Sequence, residues 1–156
     1  MVKVLFVCLG NICRSPMAEA VFRHKVKEAE LEDKISVDSA GTGHWHVGQP
    51  PHEGTRRILS ENKINHTGIK ARQISTKDLE EFDYIIAMDE ENVSHLKQLA
   101  FQEQHPKIVR LLEFLPDSDT LNVPDPYFTG NFEYVYQLIN ESCDHLLRYI
   151  RQREQL

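Results

Sequence analysis

Four apolar residues, Val4-Leu5-Phe6-Val7, run directly into Cys8-Leu9-Gly10-Asn11-Ile12-Cys13-Arg14-Ser15-Pro16, and Met17-Ala18-Glu19-Ala20-Val21-Phe22 follows. A short stretch rich in Val, Leu and Phe, apolar on both faces, reads as a buried parallel strand over about Val2 to Val7. Ser15 and Pro16 read as the N-cap and first residue of a helix that continues through Val26 and Ala29. Cys8 to Ser15 is therefore a strand-to-helix turn. Its backbone N–H groups can converge on one point, in front of a helix N-terminus that adds partial positive charge. Gly10 allows a close or left-handed backbone and Asn11 tolerates positive φ, so the expected product is an anion-binding nest.

Cys8 stands at the mouth of that nest. A thiol ordinarily titrates near ~8.5, and a helix N-terminus with a nearby cation lowers this to roughly 3.5–7.5, which makes thiolate available as a nucleophile at neutral pH. Arg14 offers a planar fork to two phosphoryl oxygens of a trigonal-bipyramidal transition state. The Ser15 hydroxyl is placed to bond the sulfur and help it leave from a phosphocysteine. The bland alternative is a buried cysteine at a strand end and a surface arginine on a first turn. Gly10, Ser15 and Pro16 in supporting places at one junction favour the site.

The rest of the chain alternates in the same way, without repeat, linker or low-complexity segment. Strands are predicted at Ile35 to Ser39, Tyr84 to Met88 and Ile108 to Leu112. Helices are predicted from about His52 to Asn62, from a cap at Ser75 or Thr76 to Phe82, from Glu90 to Leu99, and from Asn131 to Arg151. In the last, Phe132, Val135, Tyr136, Ile139, Cys143, Leu146, Leu147 and Ile150 recur at helical spacing. Alternating strand–helix units imply one α/β domain over residues 1–156, a parallel sheet with helices on both faces, and a site at the carboxyl ends of the strands. Three loops should meet there: 8–15, the glycine-rich 40–51, and 113–130.

Composition narrows the function classes. With 40% hydrophobic and 27% charged residues the chain is an ordinary globular domain. A net charge of -6 argues against a nucleic-acid binder and confines positive potential to the loop. No apolar stretch approaches the ~20 residues of a membrane span, and no signal peptide precedes the first strand. Three cysteines, an odd number, fit a reducing, cytoplasmic setting.

Val7-Cys8-Leu9-Gly10-Asn11-Ile12-Cys13-Arg14-Ser15-Pro16-Met17-Ala18-Glu19 resembles the signature of the low-molecular-weight protein tyrosine phosphatases. Asp83-Tyr84-Ile85-Ile86-Ala87-Met88-Asp89 resembles the family's third strand and the turn after it, and Val123-Pro124-Asp125-Pro126-Tyr127 its general-acid loop. The resemblance runs over essentially the whole chain. It implies a four-stranded parallel sheet in the order 2-1-3-4, an order that composition does not give. It implies Cys8 as nucleophile, Arg14 as phosphate clamp, Asp125 as proton donor and then base, and Asn11 and Ser15 as supports of loop and thiolate. Leu9, Gly10, Asn11, Ile12, Cys13 and Ser15 would line the phosphate site. No metal or cofactor is expected, and the partners would be tyrosine-phosphorylated proteins, met by a monomer or weak dimer.

The acid fits chemically. A phenolate leaving group has a conjugate acid of pKa ~10, so its protonation as the P–O bond breaks is worth roughly 10²–10⁴-fold. Pro124 and Pro126 stiffen the loop that aims Asp125. The lone tryptophan, Trp45, and Tyr127 would wall a slot for a phenyl ring, Trp45 alternatively serving as a loop anchor; Phe128 is open between wall and core. His44-x-His46 with His52 has the makings of a zinc set, but eight histidines make chance clustering common. Which of His44 and His46 meets the substrate stays open. Cys13 is a candidate redox partner for Cys8, by disulfide formation after oxidation, or simply a small packing residue.

Other chemistries use the same scaffold. Arsenate reductases relay through downstream cysteines, and none lies between Cys13 and Cys143 here. Protein-arginine phosphatases carry threonine where this chain has Ile12, so the aliphatic residue favours an aryl phosphate. A non-catalytic phosphate-binding or redox-sensing module would be expected to lack one of Cys8, Arg14 and Asp125.

Overall fold

The computed structural model describes residues 1–101, 105 and 107–156. Four strands form one parallel sheet: β1 (Val2–Cys8), β2 (Ile35–Gly41), β3 (Tyr84–Ala87) and β4 (Ile108–Arg110), in the order β2-β1-β3-β4. This is the predicted order. β1 pairs along its whole length with β2, from Val2 against Ile35 to Cys8 against Gly41, so β2 runs two residues beyond the predicted Ser39.

The alternation of β1 sorts the helices. Val4, Phe6 and Cys8 face a core made with α1 (Arg14–Glu28), α2 (Glu53–Glu61) and α6 (Phe132–Glu154), where Phe6 and Phe22 meet edge to face at 5.6 Å. Leu5 and Val7 face a smaller core with α3 (Thr76–Glu81) and α4 (Glu90–Ala100). Helices thus cover both faces, and β1, the central catalytic strand of the prediction, is wholly buried from Val4 to Cys8.

Three local expectations change. Helix α1 begins at Arg14 with Cys13 as its N-cap, and no side chain caps it. Ser15, predicted as the cap, lies inside the first turn because its hydroxyl is engaged by the Cys8 sulfur. The fourth strand stops at Arg110, two residues before the predicted Leu112, where the Glu113 carboxylate takes the Arg110 N–H at 2.6 Å and the chain turns into a 3-10 turn over Leu111–Phe114. The loop 113–130 holds a short helix, α5 (Pro126–Thr129), capped by Asp125 itself. Among the described residues no helix is long and apolar enough to cross a membrane.

Candidate active site

The loop after β1 wraps around its own first residue. Asn11, with φ 56°, takes the left-handed conformation, and Gly10 keeps negative φ. The left-handed turn aims the Asn11 N–H at Cys8 Sγ, 3.3 Å away. The Asn11 side chain fixes the loop at three points: Nδ2 donates to Ser15 Oγ at 2.7 Å and to Ser39 Oγ at 2.9 Å, and Oδ1 accepts the Arg72 N–H at 2.9 Å. Ser15 Oγ, which accepts from Asn11, lies 3.0 Å from Cys8 Sγ, and once the sulfur is a thiolate only the hydroxyl can donate in that pair. Two donors therefore stabilise negative charge on the sulfur. Behind them Ser39 donates to Glu19 at 2.6 Å, and Arg23 pairs with the same carboxyl. Burial pushes the Glu19 carboxyl above its ordinary value, against those two hydrogen bonds. Gly41 closes the loop's other side: a Cβ there would stand 2.8 Å from Leu9 O, so only glycine fits.

Arg14 is 2% exposed. Nη1 is anchored to Asp89 Oδ2 at 2.6 Å and Val123 O at 2.9 Å. Nη2 reaches Asp125 Oδ2 at 3.3 Å, and buried Nε has no partner among the described residues. Burial works against the charge, but Cys8, Asp89 and Asp125 outweigh it and hold the guanidinium above its ordinary pKa. Asp89 serves twice, since its other oxygen caps α4 through the Asn92 N–H at 2.8 Å. The acid loop is pinned by the same contacts: Val123 donates to Met88 O at 2.9 Å and receives Arg14. Asp125 Oδ1 accepts from Tyr127 N at 3.1 Å, which leaves Oδ2 turned toward Arg14.

Above the sulfur lies a cavity of roughly 230 Å³. Its floor is Cys8, Gly10 and Cys13, and its walls include Leu9, Ile12, Asp125 and the aromatics Trp45, Tyr127 and Phe128. Trp45 is 62% exposed and stacks on His44 at 5.7 Å, which makes it a wall and not a buried anchor. Phe128 is exposed and belongs to the rim, not the core. His46 also lines the cavity, 6.2 Å from the Tyr127 ring, whereas His44 faces away from it. His52 caps α2, accepting from Gly54 N at 3.0 Å, and among the described residues no group of three His, Cys, Asp or Glu side chains is placed to hold a metal ion. Cys13 lies next to the nucleophile position with its thiol pushed up to about 12, by burial first and then by the charges of Cys8 and Asp125. Cys143 lies in the core of α6.

The residues that the sequence marked for the site come together: Ser15 and Asn11 at the sulfur, Arg14 against Asp125, and the others around the cavity. Asp89, Ser39, Glu19 and Arg72 were not assigned roles from sequence. Ser39 and Asp89 sit at or just past the ends of β2 and β3, where an α/β sheet gathers its chemistry, and Glu19 follows Ser15 at a helical spacing of four. These were readable signals. Arg72 acts through its backbone, which no side-chain pattern announces.

Residues 3–156 match the family described as low molecular weight phosphotyrosine protein phosphatase. The low molecular weight protein-tyrosine-phosphatase YfkJ of Bacillus subtilis is 56% identical over 156 residues, the full length of both chains. Its crystal structure superposes with a TM-score of 0.97, covering 100% of this chain and 98% of that one. The low molecular weight protein-tyrosine-phosphatase PtpA of Staphylococcus saprophyticus is 49% identical, over 96% of this chain and 94% of the relative. A Drosophila arginine phosphatase shares the architecture too, at 37% identity and a TM-score of 0.87 over 96% of this chain and 98% of that chain. With the sheet order, the looped cysteine and arginine, and relatives matched from end to end, the chain belongs to the low molecular weight phosphotyrosine protein phosphatase family.

Proposed function

We propose that this protein-tyrosine-phosphatase hydrolyses phosphotyrosine in proteins through a phosphocysteine on Cys8. The observation that carries the reading is the divided guanidinium of Arg14. One nitrogen is spent on Asp89 and Val123, which leaves the buried, unpartnered Nε and the Asp125-facing Nη2 available to an incoming phosphoryl group. Those two donors, with the backbone N–H groups of the nest, match phosphoryl oxygens bidentately. Cys8 Sγ attacks phosphorus in line, and the P–O bond to the tyrosine breaks as Asp125 gives its proton to the leaving oxygen. Arrival of the phosphoryl group takes Nη2 from Asp125 and frees that carboxyl to face the ring oxygen. The resulting Asp125 carboxylate then removes a proton from water, whose oxygen attacks phosphorus. The sulfur leaves as thiolate toward the Ser15 hydroxyl and the Asn11 N–H.

Ile12 favours the aryl substrate over phosphoarginine. It lines the cavity with an aliphatic side chain that offers the guanidinium of a phosphoarginine no hydrogen bond, while Trp45 and Tyr127 flank a space suited to a flat ring. The fold alone does not decide this, since the Drosophila arginine phosphatase shares it. We also infer a protective role for Cys13: a sulfenic acid on Cys8 condenses with the Cys13 thiol to a disulfide, and water is lost. Free Cys8, Cys13 and Cys143 fit a reducing, cytoplasmic compartment.

The test is leaving-group dependence. Asp125→Ala should slow turnover of a phosphotyrosine peptide by roughly 10²–10⁴-fold and that of an aryl phosphate with an acidic phenol far less. Equal losses for both would remove Asp125 as proton donor. Faster hydrolysis of a phosphoarginine peptide than of its phosphotyrosine counterpart would reverse the choice of substrate.

A further inference from the structure

Trp45 is a wall with two sides. Beyond the indole lies a second depression, of roughly 550 Å³, that shares Leu9 and Trp45 with the phosphate cavity. Its other walls include Ile74, just before α3, and Leu99 and Phe101 at the end of α4. Gln73, Gln98, His44 and His95 supply a polar edge, and among the described residues no Lys, Arg, Asp or Glu lines it. In a chain of net charge -6, a groove whose described lining carries no carboxylate, beside the catalytic loop, is a local departure.

Phe101 adds a second departure. It is 92% exposed, and as the C-cap of α4 it stands at φ 54°, in the left-handed region. Glycine or asparagine ends a helix there with less strain than a bulky aromatic. An exposed aromatic held in a strained conformation at the rim of an apolar groove, which it lines together with the exposed Trp45, marks a surface for contact.

We propose that this groove receives the substrate polypeptide, seating an aliphatic or aromatic side chain close in sequence to the phosphotyrosine. The inference rests on Cys8 being the phosphate site, and continuity selects the occupant. A tyrosine ring held between Trp45 and Tyr127 must leave the cavity across one of its walls, and an exit over Leu9 and Trp45 leads directly into the groove. The polar edge of Gln73, Gln98, His44 and His95 suits the amides of a peptide backbone, and the apolar walls disfavour a charged side chain, which would lose its hydration there. His44 thereby meets flanking residues, while His46 meets the phosphotyrosine itself.

The experiment measures kcat/KM for phosphotyrosine peptides carrying Leu, Phe, Glu or Lys at each position within three residues of the phosphotyrosine, with p-nitrophenyl phosphate as reference. At one or more positions Leu or Phe should exceed Glu and Lys by about tenfold. Phe101→Ser should reduce that preference severalfold, and Gln98→Lys should raise the Glu peptide at the same position; both side chains are exposed, so the fold should tolerate the changes. Equal rates across the peptides, or a preference untouched by both substitutions, would overturn the groove while p-nitrophenyl phosphate is still turned over. Absence of p-nitrophenyl phosphate turnover in the unmodified protein would overturn the Cys8 site and the groove with it. A Phe101→Ser protein with altered sedimentation mass and intact peptide preference would assign the groove to a second copy of the chain and likewise overturn the proposal.

Discussion

Cys8 and Cys13 stand at the two ends of one loop, yet their surroundings divide their chemistry. Two hydrogen-bond donors reach the Cys8 sulfur, whereas burial and neighbouring negative charge push the Cys13 thiol to about 12. Cys13 is therefore a thiol at neutral pH and reacts only when the Cys8 sulfur has become electrophilic. Treated with hydrogen peroxide, the protein should lose activity and regain it with a dithiol. Non-reducing peptide mapping should find a Cys8–Cys13 link, and Cys13→Ser should make the loss irreversible through sulfinic acid. Full recovery of the oxidised Cys13→Ser protein would remove the protective role. The sequence made the pair visible; only the packed loop distinguishes which sulfur is the nucleophile by environment and not merely by position.

At the scale of elements, the site is a set of strand ends tied together by side chains. Asn11 joins the start of α1, β2 and the segment at Arg72, and Arg14 joins α1 to the turn after β3 and to the acid loop. Asn11→Ala should cost about 2–4 kcal/mol, since alanine pays the left-handed penalty and three hydrogen bonds are lost. Its kcat should fall more than its KM rises, because the loop that aims the donors at Cys8 loosens. Urea unfolding and steady-state kinetics on the same preparation read both, and unchanged stability would contradict the bridging role. Strand and helix order, and the octapeptide between them, were legible because buried strands and a phosphate loop each leave a run of constrained residue types. The start of α1 was misread because a serine after a loop normally caps, whereas here its hydroxyl is committed to sulfur. The fate of Leu111 and Leu112 was misread because apolar residues under a 3-10 turn look like the end of a strand.

For the molecule as a whole, two buried carboxyls oppose each other in acid. Burial raises Asp78, but Arg72 at 3.0 Å and the Ser75 N–H at 2.8 Å more than reverse this and hold it below 3.8. Its stabilisation is present above that value and is lost as pH falls below it. Glu19 is raised above 4.5, so its contribution runs the other way: present below 4.5 and lost as pH climbs through the higher folded value. Asp78→Asn should flatten the acid limb of the stability curve below about pH 4, followed by urea midpoints across pH, and an unchanged limb would show the Arg72 pair to be idle. Neither carboxyl touches the reacting atoms, so activity depends on a different and single bond, that between phosphorus and Cys8 sulfur. The most direct measurement is mass spectrometry of the protein quenched in acid during turnover of a phosphotyrosine peptide. The peptide containing Cys8 should carry one phosphoryl group that is absent from Cys8→Ser, which should be inactive and folded. Turnover by Cys8→Ser, or a phosphoryl group on any other residue, would contradict the mechanism.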